Sequence, residues 1–414
     1  MLTTSCRPVF VGILALLMPA MAAAKDYTVT ISAPNRSYRD TPVTVSVPAP
    51  GNFAGVAVMI GKVPVPSQSR LNGKSADVTW LISELKKGGS IKYTLSFERV
   101  SRPVPVSGVI IDKNGANLDV RINNELFTTY NTTTGPNKPY FYPMFAPGHK
   151  RIVRGYPIEK IAGENSNDHP HHRGLWFTHG EVNGEDYWAE GPKSAKTVNK
   201  GYGPVVSGPV YGSFEARTDW INLNGVKIAE DVRDVTIYNF PDGRLMDFSI
   251  TFTPAGDPVE FGDTKEGMFG LRIPDSMRVT GGDGRIVMST GLSEPVEETG
   301  KRKAGGTWGK RAAWVDYYGT TDGAVMGVAI LDHPQNLRHP TYWHVRDYGL
   351  FCANPFGIHD FVRGEPKDAG SLKVERNKPL SFKYRVFIHK GSTDEANVAD
   401  VWAAYSDPPK VELR

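Results

Sequence analysis

Short runs that alternate apolar and polar residues recur along the chain, separated by turn residues. Residues 27–31 and 43–47 are alternating or β-branched, and residues 91–97 alternate cleanly. Such runs predict strands, whose successive side chains point to opposite faces of a sheet. Pro34, Pro42, Pro48 and Pro50 punctuate the loops between them. The pattern predicts a small antiparallel, Ig-like β-sandwich over residues 25–105, closed by the stiff linker Arg102-Pro103-Val104-Pro105.

Residues 106–414 continue the pattern on a larger scale. Residues 247–253 and 380–388 alternate, and residues 323–331 are nearly continuous apolar sequence, as a buried sandwich strand is. Helical spacing occurs once: Val398, Val401, Trp402 and Tyr405 follow a cap at Ser392-Thr393-Asp394, and Pro408 ends the run. The expected fold class is therefore all-β, with the small sandwich followed by a large antiparallel sandwich over 106–414 and one C-terminal helix.

The N-terminus departs from this pattern. Arg7, an apolar run over residues 9–18, and the small-x-small sites Ala20-Met21-Ala22 and Ala22-Ala23-Ala24 predict a signal peptide over residues 1–24. That run is shorter than the ~20 residues a spanning helix needs. The expected location is periplasmic or secreted, with no membrane insertion after cleavage. Cys6 leaves with the signal, so Cys352 has no partner for an intrachain disulfide and reads as a small buried hydrophobe. The formal charge of +4 falls to +3 without Arg7, and the charges are interspersed, which argues against a nucleic-acid partner. The chain has no Gly-rich phosphate loop, dinucleotide fingerprint, Gly-x-Ser-x-Gly elbow or His-Glu-x-x-His motif, so no nucleotide cofactor is expected.

All ten histidines lie between His149 and His389, which puts the candidate chemistry in the large sandwich. Asp168-His169-Pro170-His171-His172-Arg173-Gly174-Leu175-Trp176 is the densest motif. Read as extended, it places His169, His171 and Arg173 on one face and Asp168 and His172 on the other. In a second segment Tyr342, His344, Arg346 and Tyr348 share a face, followed by Asn354. A third holds Lys265, Glu266 and Arg272, with Glu266 and Arg272 pointing the same way if extended. Trp176, Trp188, Trp308, Trp314 and Trp343 supply rings close to these polar groups, and flat rings beside hydrogen-bonding groups suit sugars.

The histidine motif with Asn183-Gly184 and Trp188, Trp308-Gly309-Lys310 with Trp314-Val315-Asp316-Tyr317, and Trp343-His344-Val345-Arg346-Asp347-Tyr348-Gly349 running into Ala353-Asn354-Pro355-Phe356-Gly357 resemble a bacterial family labelled methane oxygenase PmoA. A membrane oxygenase subunit needs several spanning helices, which this sequence does not contain. The PmoA-like resemblance instead implies a secreted β-sandwich similar to the galactose-mutarotase-like supersandwich, connected with carbohydrate use. The resembled family is associated with sugar dehydrogenases as genomic neighbours, so the resemblance also implies keto-sugars or glycosides.

The leading expectation is a carbohydrate-active enzyme, a hydrolase, lyase or isomerase, acting on a glycoside or (keto-)sugar derivative. His171 and His344 are expected to form its acid/base pair, and Glu266 to be a second proton carrier. Arg272 and Arg346 would hold substrate oxygens, and Trp176 and Trp343 would stack on the sugar. Asp168, His172, Arg173, Lys265, Trp308 and Asn354 complete the expected substrate contacts. One alternative is a divalent metal ion held by His169, His171 and His344. Another is a non-catalytic carbohydrate-binding protein.

Overall fold

Burial follows the alternation of the sequence. In Lys227–Tyr238 and Gly243–Pro254, buried side chains alternate with more exposed ones for most of the strand length. The computed structural model describes residues 26–51, 53–98, 107–132, 137–294, 296–298, 301–303 and 306–414. The expected signal peptide and the linker at 102–105 lie outside the described residues.

The chain is all-β, as expected, and forms two antiparallel sandwiches. In the small one, a five-stranded sheet packs on a three-stranded sheet. Its core is built on Val29, Ile31, Val45, Trp80, Tyr93 and Leu95. The boundaries differ from expectation at one point. The last strand, Lys410–Leu413, returns to pair with Tyr27–Ser32. The small sandwich therefore uses both ends of the chain, and residues 106–414 are not one unit. All four residues of that strand are exposed, so no apolar alternation announced it.

The large sandwich packs two nine-stranded sheets face to face. One contains, in spatial order, Tyr342–Val345, Leu350–Asn354, Gly267–Arg272, Leu175–His179 and Tyr140–Ala146, then three further strands, with the short ninth strand Lys150–Arg151 paired to Tyr140–Ala146 off that path. Phe177, Phe269 and Phe351 of this sheet meet Phe382, Tyr384 and Tyr317 of the other. Each ring fully buried there contributes about 1.5–3 kcal/mol. Because strand side chains alternate, residues between these phenylalanines point away from the core, and the candidate chemistry is on that outer face.

The C-terminal helix spans Val398–Ser406. It starts later than the expected cap. Ser392 bonds Glu395 within a turn, Thr393 donates to Asp316, and Asn397 enters the helix in the left-handed conformation. Val398, Val401 and Trp402 pack against Trp314 and Phe387 of the second sheet and Phe240 of one of its turns. Among the described residues, no helix is long and apolar enough to cross a membrane.

Candidate active site

Four strands put His344, Cys352, Gly270 and Trp176 in one cross-strand row. Three strand spacings at about 4.8 Å separate its ends, roughly 14 Å. The middle of the row is small. A Cβ on Gly270 would lie 2.8 Å from Cys352 Sγ and 3.1 Å from the Trp176 ring, so only glycine lets the indole lie across it. His344 and Trp176 thus stand at opposite ends of a flat floor.

The histidine motif is a turn. His169 has φ of +46°, a conformation costly for a residue with a side chain, and His172 N–H bonds back to the His169 carbonyl. The strand begins only at Leu175. The expected two-faced arrangement of an extended segment is therefore overturned: the turn gathers all three imidazoles. His171 lies 5.7 Å from His169 and 4.5 Å from His172, centroid to centroid. Tyr348, His169, His172 and Trp176 form one column of nearly parallel rings, spaced 5.3, 4.7 and 5.4 Å. Gly174 closes the turn at φ of +53°, with Phe141 O only 2.0 Å from where a Cβ would be.

Charged groups fix this turn from beneath. Arg154 and Arg272, both fully buried, each donate to Asp168 Oδ1, at 2.6 and 2.8 Å. Asp168 Oδ2 pairs with His169 Nδ1 at 2.9 Å. Partial burial works to raise the Asp168 pKa, but Arg272, His169 and Arg154 bring it down to about 2. Arg272 also donates to His172 Nδ1, so that ring carries its proton on Nε2 and is neutral. Burial, with His171 and Arg272 close by, holds the His172 pKa well below its ordinary value.

Three groups are free to do chemistry. No described residue hydrogen-bonds His171, whose pKa is lowered to about 4 by burial and by Lys138. His344 accepts a 2.9 Å bond on Nδ1 from Trp308 Nε1, so its Nε2 carries the proton. Burial, then Arg346, Lys265 and His169, lower its pKa to about 3. Glu266 is different: burial raises its carboxyl pKa, while Lys265 and His169 pull it down. Glu266 and His344 both sense the charge of His169, which ties the two sides of the floor together.

The other expected residues divide. Lys265 lies 3.6 Å from Glu266, and Arg346 sits over the faces of Trp308 and Tyr348, at this site. Trp176 and His172 are at the site but spent on the ring column. Trp343 is not there. It points into the core, opposite to His344, and its Nε1 bonds Ala312 O. Asn354 is fully buried, and its amide holds the Thr264 and Lys265 carbonyls, which positions the loop before Glu266. Arg173 makes a bidentate pair with Glu190. The metal set His169, His171 and His344 is also corrected: among the described residues no three His, Cys, Asp or Glu are placed to hold an ion. His169 Nδ1 faces Asp168 and His344 Nδ1 faces Trp308.

Arg154 and Lys138 were missed from sequence. Lys138 is buried against Trp188 O and Glu190, and burial lowers its pKa to about 8 against the pull of Glu190. Neither lies in the polar segments singled out above, so no spacing marked it.

A cavity of about 650 Å³ lies elsewhere, between the two sandwiches and the helix, near Tyr38, Phe240, Phe387, His389 and Val401. Its histidine is tied to Asp316, which Thr393 also holds, so the free imidazoles favour the outer-face site.

The chain belongs to a family of unknown function, DUF6807, whose profile matches residues 117–403. No curated protein matches the chain. Among solved structures, an α-mannosidase from Enterococcus faecalis V583 is similar at 12% identity and a TM-score of 0.41, over 94% of this chain and 46% of that one. The chain thus spans less than half of that protein's length. A galactose mutarotase related enzyme from Lactobacillus acidophilus aligns over 69% of this chain and 98% of its own, at 12% identity and TM-score 0.27. A galactose mutarotase-like protein from Clostridium acetobutylicum aligns over 68% and 95%, at 12% identity and TM-score 0.31.

Proposed function

We propose that this DUF6807 member is a carbohydrate-active enzyme that moves protons on a glycoside or keto-sugar at the outer face of the large sandwich. The observation that carries this reading is that His344 and the turn bearing His171 stand at the two ends of one flat, small-residue floor, with Glu266 and His344 both sensing His169. His171, held toward its neutral form and with no hydrogen-bond partner among the described residues, is the general base. His344 presents Nε2–H and acts as a neutral electrophile, polarising a substrate oxygen, because Trp308 fixes the tautomer. Glu266, held toward its protonated form, returns a proton to the leaving or enolic oxygen. Trp308 flanks Arg346 and offers a ring face to the sugar, whereas the Tyr348 ring is taken up by His169, Arg272 and Arg346. The apolar N-terminal run supports action in the periplasm or outside the cell.

The test is a screen of glycosides and keto-glycosides with product analysis by NMR. On the substrate found, kcat/KM is expected to rise with pH through about 4, the His171 value, and Glu266→Gln is expected to lower kcat about 10²–10⁴-fold. A substrate bound but left chemically unchanged would make this a binding protein instead.

A further inference from the structure

Arg346 is the one guanidinium at the site that meets no carboxylate among the described residues. The others are accounted for. Asp168 is shared by Arg154 and Arg272, and Glu190 by Lys138 and Arg173. Glu266 faces Lys265, and Asp186 accepts the Trp188 and Ala189 backbone N–H groups. Each of these carboxylates faces a group other than Arg346, and no ion pair joins Arg346 to a carboxylate among the described residues. Its guanidinium is 6.0 Å from the Trp308 ring centroid and 5.4 Å from that of Tyr348, so two aromatic faces hold the fork in place. A planar fork held without a counter-ion is built for a bidentate anion supplied from outside.

We propose that the substrate is a sugar acid whose carboxylate pairs with Arg346, with the reacting carbon lying toward His171 and Glu266. This deepens the carbohydrate reading and rests on it. A second observation agrees. His172 Nε2, Trp176 Nε1 and Trp188 Nε1 are buried with no partner among the described residues, and their rings are in mutual contact at 5.2–5.8 Å. These donors suit an oxygen-rich ligand. An anion seated here also has a chemical consequence. After burial, Arg346 is the largest cause that disfavours a protonated His344, so a carboxylate bound to Arg346 offsets that part of the field.

The test is calorimetric titration of the full chain with D-glucuronate, D-galacturonate and D-gluconate, set against D-glucose, D-galactose, D-glucose 6-sulfate and citrate. The same set is run on Arg346→Gln and, as a charge-retaining control, Arg346→Lys, with folding checked by circular dichroism. The expected result is that a sugar acid binds at least about tenfold more tightly than its neutral parent. Arg346→Gln should abolish that preference and Arg346→Lys restore part of it. Equal binding of acid and neutral sugar, unchanged in Arg346→Gln, overturns the carboxylate seat and leaves the carbohydrate reading standing. Preference for the sulfate ester over the carboxylates overturns the carboxylate assignment. Citrate binding as tightly as any sugar acid keeps the anion seat and overturns the carbohydrate reading. Binding of none of these ligands overturns both.

Discussion

Asp168 shows how single residues hold this site together. It is the only carboxylate bonded to two fully buried guanidinium groups, Arg154 and Arg272, among the described residues. Removing it strands two charges rather than one contact, and breaking a buried pair costs about 3–5 kcal/mol. Because Asp168 is itself 40% exposed, the lower end applies, and Asp168→Ala is expected to lower stability by about 3 kcal/mol in urea unfolding. A loss under 1 kcal/mol would mean that water serves the two arginines as well. His171, His344, Glu266 and Arg346 stood out in the sequence because each lies in a dense polar segment, and the structure leaves all four on the outer face as candidates. The sequence misled at Trp343, Asn354 and Arg173, whose residue types suit a ligand as well as they suit core packing, loop anchoring or an ion pair. Burial and partner decide between those roles, and neither is written in local spacing. The buried cations Arg154 and Lys138 left no local signal for the same reason.

At the scale of elements, strands were legible and turns were not. Alternation located the strands at 91–97, 247–253 and 380–388 within a few residues, since one face of each is core. The histidine segment also looked extended, yet the left-handed His169 and Gly174 fold it into a turn. The fully exposed strand Lys410–Leu413 has no core face and so no pattern. Its role is testable. Thr28 and Arg414 exchange both backbone hydrogen bonds, at 3.1 and 2.8 Å. Deleting residues 410–414 is expected to speed hydrogen exchange at the Thr28 amide at least about tenfold, while core amides of the large sandwich stay unchanged. Unchanged exchange at Thr28 would show that the small sandwich does not need the returning strand.

Across the whole molecule, stability and activity share the same neutral histidines. In the folded chain His171 and His344 titrate at about 4 and about 3, below the ~6.5 of an unfolded chain. The unfolded chain therefore binds protons that the folded one refuses, so stability falls as pH drops from about 6.5 toward 4. His172 acts in the same direction. His389 works the other way: burial lowers its pKa, but Asp316 raises it further, so its share is present at acid pH and fades as pH rises through its folded value. The depressed histidines outnumber it, and the melting temperature is expected to fall between pH 7 and pH 5. His344→Asn should make that slope shallower, and a slope left unaltered would contradict a neutral, buried His344. Single-turnover rates of wild type, His171→Ala and His344→Ala on the substrate that the screen identifies test whether these two imidazoles carry the chemistry. Each variant is expected to bind the substrate yet react about 10²–10⁴-fold more slowly. Wild-type rates in both variants would contradict it.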